Sequence, residues 1–424
     1  MLEIQKIREN KDLIINRLNE VRKIDLKETI NKLYSLDEQK RETQQKLDSS
    51  QSELNMLSSK IGELFKAGKV EQANELKAKT SKLKDVIKQN KEDFTDLEST
   101  IHELFCLIPN VPNELVPAGK SEDDNEIVSS QEINKEQFKS FIPHWDLCQK
   151  YNLIDFELGV KISGAGFPVY KGKGARLQRA LINFFLNEAS KMGYEELMVP
   201  HLVNSKSGFG TGQLPDKEGQ MYHAEMDDLY LIPTAEVPIT NIYRDVIVNA
   251  KDFPIKHVGY TPCFRREAGS YGKEVRGLNR LHQFDKVEIV QVTHPNSSYE
   301  TLEEMVKYVE SLLIKLELPY RKLKLCGGDL GFTSALTFDL EVYSPGQDRW
   351  LEVSSISNFE TYQANRLKLR FKEENKTKLA HTLNGSALAL PRILASLLEN
   401  NQDEKGIAIP KALVPFTGFD RIDN

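Results

Sequence analysis

The chain has 424 residues, of which 39% are hydrophobic and 28% charged, and this length suits two or three domains of about 150 residues each. No stretch approaches the roughly 20 apolar residues of a membrane span, and the start, MLEIQKIREN, lacks the apolar core of a secretory signal. We therefore expect a cytoplasmic protein. The four cysteines show no Cys-x-x-Cys spacing, which argues against a zinc site or a disulfide framework. The net charge of −6 disfavours uniform binding to nucleic acid but is compatible with local basic patches.

The N-terminal quarter of the chain carries helical periodicity. Residues 1–25 have apolar side chains at helical spacing and predict a short amphipathic helix. A heptad series follows at Leu26, Leu33, Leu47, Leu54 and Ile61, interrupted only by Lys40. The pattern breaks at residues 66–69, and a second series then runs through Ala73, Leu76, Thr80, Leu83, Ile87, Asn90, Phe94, Leu97, Ile101 and Leu104. Two heptad helices joined by a short glycine-bearing turn predict an antiparallel helical hairpin.

Each predicted helix has roughly 35 to 40 residues, so the hairpin would project about 50 to 60 Å. A dimerising coiled coil or a scaffold arm explains the heptads equally well. Residues 60–91, however, hold nine lysines against four acidic residues, a local excess of +5 toward the tip. Candidates for contact with a phosphate backbone are Lys60, Lys66, Lys69, Lys77, Lys79, Lys82 and Lys84. Because no aromatic residues are interleaved with them, we expect backbone and shape recognition and not base reading.

Residues 108–135 are rich in proline, contain the acidic run 122–126 and show neither helical nor strand periodicity. They predict a linker between two domains. The first domain comprises residues 1–107, with an arm at about 26–105, and the second comprises residues 136–424. Glycines, aromatics and alternating runs in the second domain predict mixed α and β structure.

The second domain opens with elements of low specificity. Residues 174–192 predict a helix that stops at Gly193, and residues 196–199 predict a strand that ends at Pro200. A flexible loop with a weak phosphate-nest signal is then predicted at Gly208, Gly210 and Gly212.

A more specific signal follows the apolar strand predicted at residues 229–232. Thr234, Ala235 and Glu236 come directly after it. A glutamate is ordinarily a surface residue, but its place behind a buried strand favours a binding site.

The most unusual charge pattern lies at residues 260–290. Two alternating runs, 260–266 and 281–290, flank a centre with Gly269, Gly272 and Gly277, which predicts an antiparallel hairpin with a long mobile loop. Alternation along a strand would place Arg265 and Glu267 on one face. A solvated hairpin with surface ion pairs is the plain structural alternative.

Residues 337–355 predict two alternating strands around a turn at 344–346. They gather carboxylates and hydroxyls at Glu341, Glu352, Ser354 and Ser355. Such oxygens suit Mg²⁺, which takes one or two carboxylates and leaves further positions to substrate phosphates. They are equally typical of the wet face of a strand.

The last cluster, residues 381–400, predicts a short turn at Asn384 and Gly385, followed by an amphipathic helix that carries Arg392. A guanidinium at that place can stack on a planar ring and bind phosphate in ways that a lysine cannot.

Residues 263–290 read CFRREAGSYGKEVRGLNRLHQFDKVEIV and resemble motif 2 of class II aminoacyl-tRNA synthetases. The residues of this motif resemble those of seryl-tRNA synthetases in particular. Residues 174–200 resemble motif 1 and residues 381–400 resemble motif 3, in the family's order. The resemblance extends to PNVPNELVP in the linker and HWDLCQKYNLIDFE after it. It implies an α+β fold: an N-terminal antiparallel helical coiled-coil hairpin, and a class II catalytic domain built on an antiparallel β-sheet flanked by helices.

The resemblance implies a serine–tRNA ligase, which forms seryl-adenylate and pyrophosphate from L-serine and ATP and then charges the 3′ end of tRNA(Ser), and also of tRNA(Sec). It further implies Mg²⁺ with ATP, no zinc, no membrane, and a homodimer in which one subunit's arm presents tRNA to the other's site. Because the reaction joins two anions, the site has to supply fixed positive charge.

The residue roles implied by the resemblance follow the motifs. The implied catalytic residues are Arg265, Glu267 and Arg392. The implied serine-binding residues are Thr234, Ala235, Glu236, Arg265, Glu288, Asn384 and Ser386. The implied ATP-binding residues are Arg265, Arg266, Glu267, Arg276, Phe284, Glu352, Val353, Ser354, Ser355 and Arg392. Glu352 and Ser355 are the implied metal ligands, and the arm lysines are implied to bind tRNA.

Four positions depart from the family's pattern, and they bear on local handling of phosphate or of the tRNA acceptor end: Leu336, Asn365, Ala387 and Pro391. Two rival interpretations are a tRNA-binding paralogue with an inactive catalytic domain and an amino acid ligase acting on a carrier protein. The retained motif residues argue against the first rival, and the long arm argues against the second.

Overall fold

The computed structural model describes residues 1–138, 141–216, 218–267 and 276–423. The chain divides into two compact units, one made of Leu2–Asn19 with Asp25–Pro109, and the other of Met1, Glu20–Ile24 and Asn110–Asn424. Among the described residues, no helix combines the length and apolar character that crossing a membrane requires.

The helices of the described residues are, in chain order, α1 (Ile4–Glu20), α2 (Lys27–Lys66), α3 (Val70–Phe105), α4 (His144–Lys150), α5 (Phe156–Ile162), α6 (Gly172–Lys191), α7 (Ser205–Thr211), α8 (Glu236–Asn241), α9 (Ser298–Lys315), α10 (Thr361–Leu367), α11 (Leu390–Asn400) and α12 (Val414–Thr417). The strands are β1 (Glu126–Ser130), β2 (Ile154–Asp155), β3 (Val169–Tyr170), β4 (Glu195–Glu196), β5 (Leu202–Asn204), β6 (His223–Ala224), β7 (Leu229–Leu231), β8 (Ile247–Asn249), β9 (Ile255–Phe264), β10 (Gln283–Thr293), β11 (Tyr320–Lys324), β12 (Leu336–Ser344), β13 (Arg349–Asn358), β14 (Arg370–Glu373), β15 (Lys376–Leu379), β16 (His381–Ala389), β17 (Gln402–Asp403), β18 (Gly406–Ala408) and β19 (Arg421–Ile422).

In the first unit, α2 and α3 form the antiparallel hairpin that the heptads predict, with 40 and 36 residues. Only the heptad seam is covered, because positions such as Leu33, Ala73 and Ile87 are buried while the residues between them are largely exposed. The turn contains Gly68 at φ 71°, a left-handed conformation that glycine adopts without steric cost. The predicted N-terminal amphipathic helix is α1, and it buries Ile7, Ile14 and Leu18.

The second unit is organised on one sheet with strand order β1-β11-β12-β13-β16-β10-β9-β4. Neighbouring strands run antiparallel except at the edge, where β4 pairs parallel with β9. Helices α6, α9 and α11 pack on this sheet and share an aliphatic core with it. The expected fold class is therefore confirmed: a helical hairpin and an antiparallel-dominated sheet flanked by helices.

Three local predictions differ from the structure because packing decides the local conformation. Gly208 and Gly210 lie in helix α7 and not in a loop; a Cβ on Gly210 would meet Leu367 Cδ2 at 2.6 Å, so glycine serves close packing. Asn384 and Gly385 lie inside strand β16 and not in a turn, where the missing Cβ lets the strand approach Ile356. Strand β1 lies within the predicted linker, where it pairs with β11 at the edge of the sheet. Because all five of its residues are exposed, its sequence lacks the alternation of buried and exposed positions that predicts a strand.

The predicted hairpin of residues 260–290 is present as β9 and β10, paired antiparallel from Phe264–Gln283 onward. Strand β9 ends at Phe264, so Arg265 and Glu267 follow the strand and pleat alternation does not align them. Gly269 and Gly272 lie outside the described residues. Strand β4 comprises only Glu195–Glu196, shorter than the predicted 196–199.

Candidate active site

Arg265 leaves the end of β9 directly beside an aromatic ring. Its backbone N–H donates to the carbonyl of His282 at 2.9 Å, which fixes the start of the segment. Its guanidinium carbon lies 5.2 Å from the centroid of Phe284 on β10, a cation–π distance. Its Nε donates to the carbonyl of Pro233 at 3.4 Å, next to the Thr234–Glu236 segment. The end of the hairpin therefore places a fixed positive charge between an aromatic face and the second predicted cluster.

Other charged residues of the hairpin are held by different partners. Glu267 has a left-handed φ of 48°, and its carboxylate pairs with Arg280 at 3.1 Å. The guanidinium of Arg276 lies 4.5 Å from the Trp145 ring of α4. Arg266 lies 6.0 Å from the Tyr222 ring.

Arg392, near the start of α11, joins the hairpin to the sheet. Its Nε donates to the carbonyl of Asn279 at 3.1 Å, and its Nη1 donates to the carbonyl of Glu352 at 2.7 Å. The same Nη1 lies 3.4 Å from the Glu352 carboxylate. Residues far apart in sequence therefore form one charged surface.

A β-bulge brings the two predicted metal ligands to one face. Glu352 and Ser355 are three positions apart and would face opposite sides of a regular strand. The register of β13 against β12 shifts at Val353, the extra residue of the bulge. On that face Ser355 hydrogen-bonds Asp339, and the Glu352 charge acts on the same carboxyl.

Asp339 is the residue that this arrangement affects most. Burial, and then the nearby Glu352 charge, hold the pKa of the Asp339 carboxyl well above its usual range. Its Oδ1 is buried and has no hydrogen-bond partner among the described residues. The neighbouring Glu341 pairs instead with Arg321. The face thus offers several oxygen donors, and no group of three or more His, Cys, Asp or Glu suited to a metal occurs in the described part of the chain.

Two buried carboxylates form the polar pocket next to Arg265. Glu288 of β10 is paired with Lys286 at 2.8 Å and accepts a hydrogen bond from Ser386 at 3.3 Å. Glu236 accepts from the Gln363 amide at 2.6 Å. Burial, followed by the charge of Glu288, raises the pKa of Glu236 to about 7.

The remaining predicted pocket residues support these two carboxylates. The Thr234 hydroxyl accepts from the Glu236 backbone N–H at 3.2 Å, and the Asn384 side chain hydrogen-bonds Glu236. Ala235 and Val353 are fully buried. The Ser354 hydroxyl donates to the carbonyl of Ser386 at 2.6 Å, which ties β13 to β16.

Sequence reasoning missed several residues of the site: Lys286, Gln363, Asp339 and Asn279. For Lys286 a signal existed, because it lies two positions from Glu288 on a strand and therefore shares its face. Gln363 comes from helix α10, more than 120 positions from its partner Glu236, and no local pattern points to it.

The four departing positions fit their surroundings. Leu336 and Ala387 are in the core, and Pro391 lies in the first turn of α11, where a missing N–H costs nothing. Asn365 donates to the Met1 carbonyl at 3.0 Å.

In the hairpin unit, the predicted tRNA-binding lysines are all exposed on α2, α3 and their turn: Lys60, Lys66, Lys69, Lys77, Lys79, Lys82 and Lys84. Lys77 lies 4.8 Å from the Phe65 ring across the hairpin. The distal half of the hairpin is therefore a solvated basic surface.

Comparison with known proteins agrees with this architecture. Residues 220–401 match the tRNA synthetase class II core domain (G, H, P, S and T). The antiparallel sheet with its arginine-bearing hairpin and helix is thus the core of a class II aminoacyl-tRNA synthetase. Residues 1–112 match the seryl-tRNA synthetase N-terminal domain.

Individual relatives cover nearly the whole chain. The serine–tRNA ligase of Salinibacter ruber is 50% identical over 397 residues, which span 93% of this chain and 92% of that protein. A seryl-tRNA synthetase from Pyrococcus horikoshii, solved with ATP, superposes with a TM-score of 0.93 at 33% identity over 100% of this chain and 99% of that one. The cytoplasmic serine–tRNA ligase of Naegleria fowleri, solved with AMP, gives a TM-score of 0.87 at 29% identity, with 100% and 99% coverage. The chain belongs to the seryl-tRNA synthetase family, and the resemblance found in its motifs is confirmed.

Proposed function

We propose that this chain is a serine–tRNA ligase that activates L-serine with ATP and then transfers the seryl group to tRNA. The observation that carries the proposal is the Arg265 guanidinium, fixed 5.2 Å from the Phe284 ring and hydrogen-bonded beside the pocket of Glu236 and Glu288. This arrangement brings a nucleotide-stacking ring, a fixed cation and a small polar pocket together.

In the first step a carboxylate oxygen of serine attacks the α-phosphorus of ATP, and pyrophosphate leaves. The serine carboxylate is already ionised near neutral pH, so no general base is required. Arg265 bridges the carboxylate and the α-phosphate and stabilises the charge that develops at phosphorus. Orientation of the two substrates supplies much of the remaining rate.

ATP is held by the surfaces that meet at Arg392. Phe284 and the Arg392 guanidinium stack on opposite faces of adenine, and Glu267 accepts a hydrogen bond from the adenine amino group. Arg266 and Arg276 contact phosphates, and for Arg276 this requires leaving the Trp145 ring. The backbone of Val353 and Ser354 lines the nucleotide site.

The oxygen donors of β13 fit Mg²⁺. Glu352 is about half exposed, Ser355 shares its face, and Mg²⁺ is commonly bound by one or two carboxylates together with substrate phosphates. Glu352 and Ser355 would hold the ion. When bound, Mg²⁺ neutralises charge on the ATP phosphates.

The two carboxylates of the pocket bind different groups of serine, because one already has a cationic partner and the other does not. Glu288 already has the Lys286 ammonium as its partner, whereas Glu236 is held by neutral amides. Glu236 therefore pairs with the serine ammonium, and Glu288 with Ser386 takes the hydroxyl. Alanine would leave buried polar groups unsatisfied, and rejection of alanine is correspondingly strong.

In the second step the terminal ribose hydroxyl of tRNA(Ser), and of tRNA(Sec) in a host that has one, attacks the carbonyl of the adenylate. The ester bond forms, the hydroxyl proton is released, and AMP leaves as the acyl–phosphate bond breaks. The exposed arm lysines bind the tRNA backbone. We further propose a cytoplasmic homodimer in which the arm of one subunit presents tRNA to the other. These assignments rest on family membership.

An inactive paralogue is not favoured, since Arg265, Glu267, Glu352 and Arg392 are all present. The direct test is ATP–pyrophosphate exchange with each of the twenty amino acids, without tRNA, on the wild type and on Arg265→Ala. We expect exchange that depends on serine and falls by more than about 1,000-fold in the variant. Folded wild-type protein that exchanges with no amino acid would contradict the proposal.

A further inference from the structure

His144 on α4 and Glu399 on α11 form a buried polar pair that no substrate role uses. Both side chains are 0% exposed, and His144 Nδ1 lies 2.7 Å from Glu399 Oε1. His144 Nε2 accepts the backbone N–H of Leu278 at 2.9 Å. A backbone N–H can only donate, so Nε2 carries no proton and Nδ1–H donates to the carboxylate. The imidazole is therefore a neutral bridge between Glu399 on α11 and Leu278, in the segment that precedes β10.

Glu399 collects further neutral donors. Its carboxylate accepts from the backbone N–H groups of His144 and Gly346 at 2.9 and 3.1 Å, from the Ser344 hydroxyl, and from Gln347 Nε2 at 3.4 Å. Burying a carboxylate is costly, and well-packed apolar side chains would commonly stabilise a fold at least as well. What the carboxylate provides instead is a set of directional bonds to α4 and to the β12–β13 turn.

These bonds converge on residues 276–280, the described segment that precedes β10. Gly277 packs so tightly against the pair that a Cβ there would lie 2.3 Å from His144 Nε2. The Asn279 side chain donates to Gln347 at 2.9 Å, and the Asn279 carbonyl accepts from Arg392 at 3.1 Å. Trp145, adjacent to His144, lies 4.5 Å from the Arg276 guanidinium, a contact that Arg276 leaves when it reaches phosphate. The buried pair thus supports two of the four arginines assigned to ATP: it fixes the backbone segment that begins at Arg276 and, through Asn279, the Arg392 guanidinium.

We propose that His144 and Glu399 are positioning residues for ATP: their buried bond fixes residues 276–280, and through them the placement of Arg276 and Arg392, without touching the substrate. The inference rests on the proposed function, because the two arginines are assigned to ATP there. The serine pocket of Glu236, Glu288 and Lys286 makes no hydrogen bond or ion pair to this pair among the contacts described. Loss of the pair should therefore affect the two substrates unequally.

The test is serine-dependent ATP–pyrophosphate exchange with His144→Asn and His144→Gln, with KM measured for ATP and for serine. Asparagine retains a donor near the position of Nδ1 and loses the acceptor for Leu278; glutamine retains an acceptor near Nε2. We expect His144→Asn to raise the ATP KM about tenfold with the serine KM within twofold, and His144→Gln to recover much of that loss. Active-site titration normalises every rate to the fraction of folded enzyme.

Leu147→Ala is the matched control, because Leu147 is buried on the same helix and apolar. It should lower thermal stability and leave both KM values unchanged. Should His144→Asn not fold, Gln347→Met leaves the His144–Glu399 bond in place and removes the Gln347 bonds to Asn279, Ser344, Glu399 and Arg349. It should give a smaller, still ATP-selective increase in KM. Equal shifts of both KM values, or unchanged KM values in folded His144→Asn, would overturn the inference. Wild-type protein without serine-dependent exchange would instead contradict the proposed function, and direct titration of ATP binding then decides the positioning role.

Discussion

Two lysine–glutamate pairs of nearly equal length occupy contrasting regions of the molecule. On the hairpin, Lys40 and Glu98 lie 2.6 Å apart with side chains 28% and 54% exposed. In the pocket, Lys286 and Glu288 lie 2.8 Å apart with side chains 8% and 3% exposed. Water competes for the first pair, so its net contribution is small. The second pair has little access to water, so removal of either partner leaves a buried charge without compensation.

The same contrast extends to the roles of the two regions. Each exposed lysine of the arm acts almost independently, and its effect is screened by salt. In the pocket the state of one group depends on its neighbours, as the pKa of Glu236 shows by responding to burial and then to Glu288. A basic surface can therefore tolerate substitution, whereas a buried charged pocket cannot.

The largest effect is expected for Lys286→Met. It leaves Glu288 buried beside Glu236, and we expect a loss of about 3–5 kcal/mol in the free energy of unfolding at pH 8 together with loss of serine-dependent exchange. Urea unfolding measures the loss of stability. Lys40→Met on the arm is the matched control and should cost less than about 1 kcal/mol. Similar losses for both variants would refute the contrast.

A second prediction concerns the β13 bulge. Glu352→Gln should lower the rate of exchange about 100-fold and raise the Mg²⁺ concentration required for half the maximal rate. The matched control is Glu341→Gln on the neighbouring strand, whose carboxylate is paired with Arg321, and it should leave the Mg²⁺ requirement unchanged. Equal effects of the two substitutions on the Mg²⁺ requirement would contradict the assignment of Glu352 as a metal ligand.

The third prediction follows from Glu236. If serine binds to its ionised form, the serine KM should fall about tenfold between pH 6 and pH 8, since the pKa lies near 7. Stability changes in the opposite sense: because the folded pKa exceeds the usual value, stability held by the protonated form below about pH 4.5 is lost as pH rises through about 7. In the wild type, the unfolding free energy should fall by an amount on the order of 3 kcal/mol as pH rises from about 4.5 to 8. Glu236→Gln should remove both this fall and the pH dependence of the serine KM. Exchange kinetics between pH 6 and pH 8 check the fall in serine KM, and urea unfolding between about pH 4.5 and pH 8 checks the fall in stability.

The smallest effect is expected on the arm. Lys79→Gln with Lys82→Gln should raise the tRNA KM of aminoacylation only a few-fold and reduce its salt dependence, because two phosphate contacts are lost. Exchange without tRNA should not change. Lys32→Gln with Lys46→Gln changes two exposed lysines of the proximal half and should leave the tRNA KM unaltered. An equal response of both pairs would show that total charge, not the distal surface, matters.

Local patterns made much of the fold predictable. The hairpin could be located from its heptads because each helix buries a seam that repeats every seven residues, and β12 and β13 could be located from alternation. Gly210 of α7 and Gly385 of β16 misled the prediction, since they serve close contacts with residues far away in sequence, Leu367 and Ile356. Strand β1 was missed because an exposed edge strand has no apolar alternation.

By itself the sequence determined which chemical groups are present and, through the residues of its motifs, the family to which the chain belongs. Only the tertiary structure decided which of them meet. The bulge at Val353 puts Glu352 and Ser355 on one face, and strand pairing brings Ser386 to Glu288. Helix packing delivers Gln363 to Glu236 and His144 to Glu399. Register and packing are set by the whole core, and for this reason no local stretch of sequence contains them.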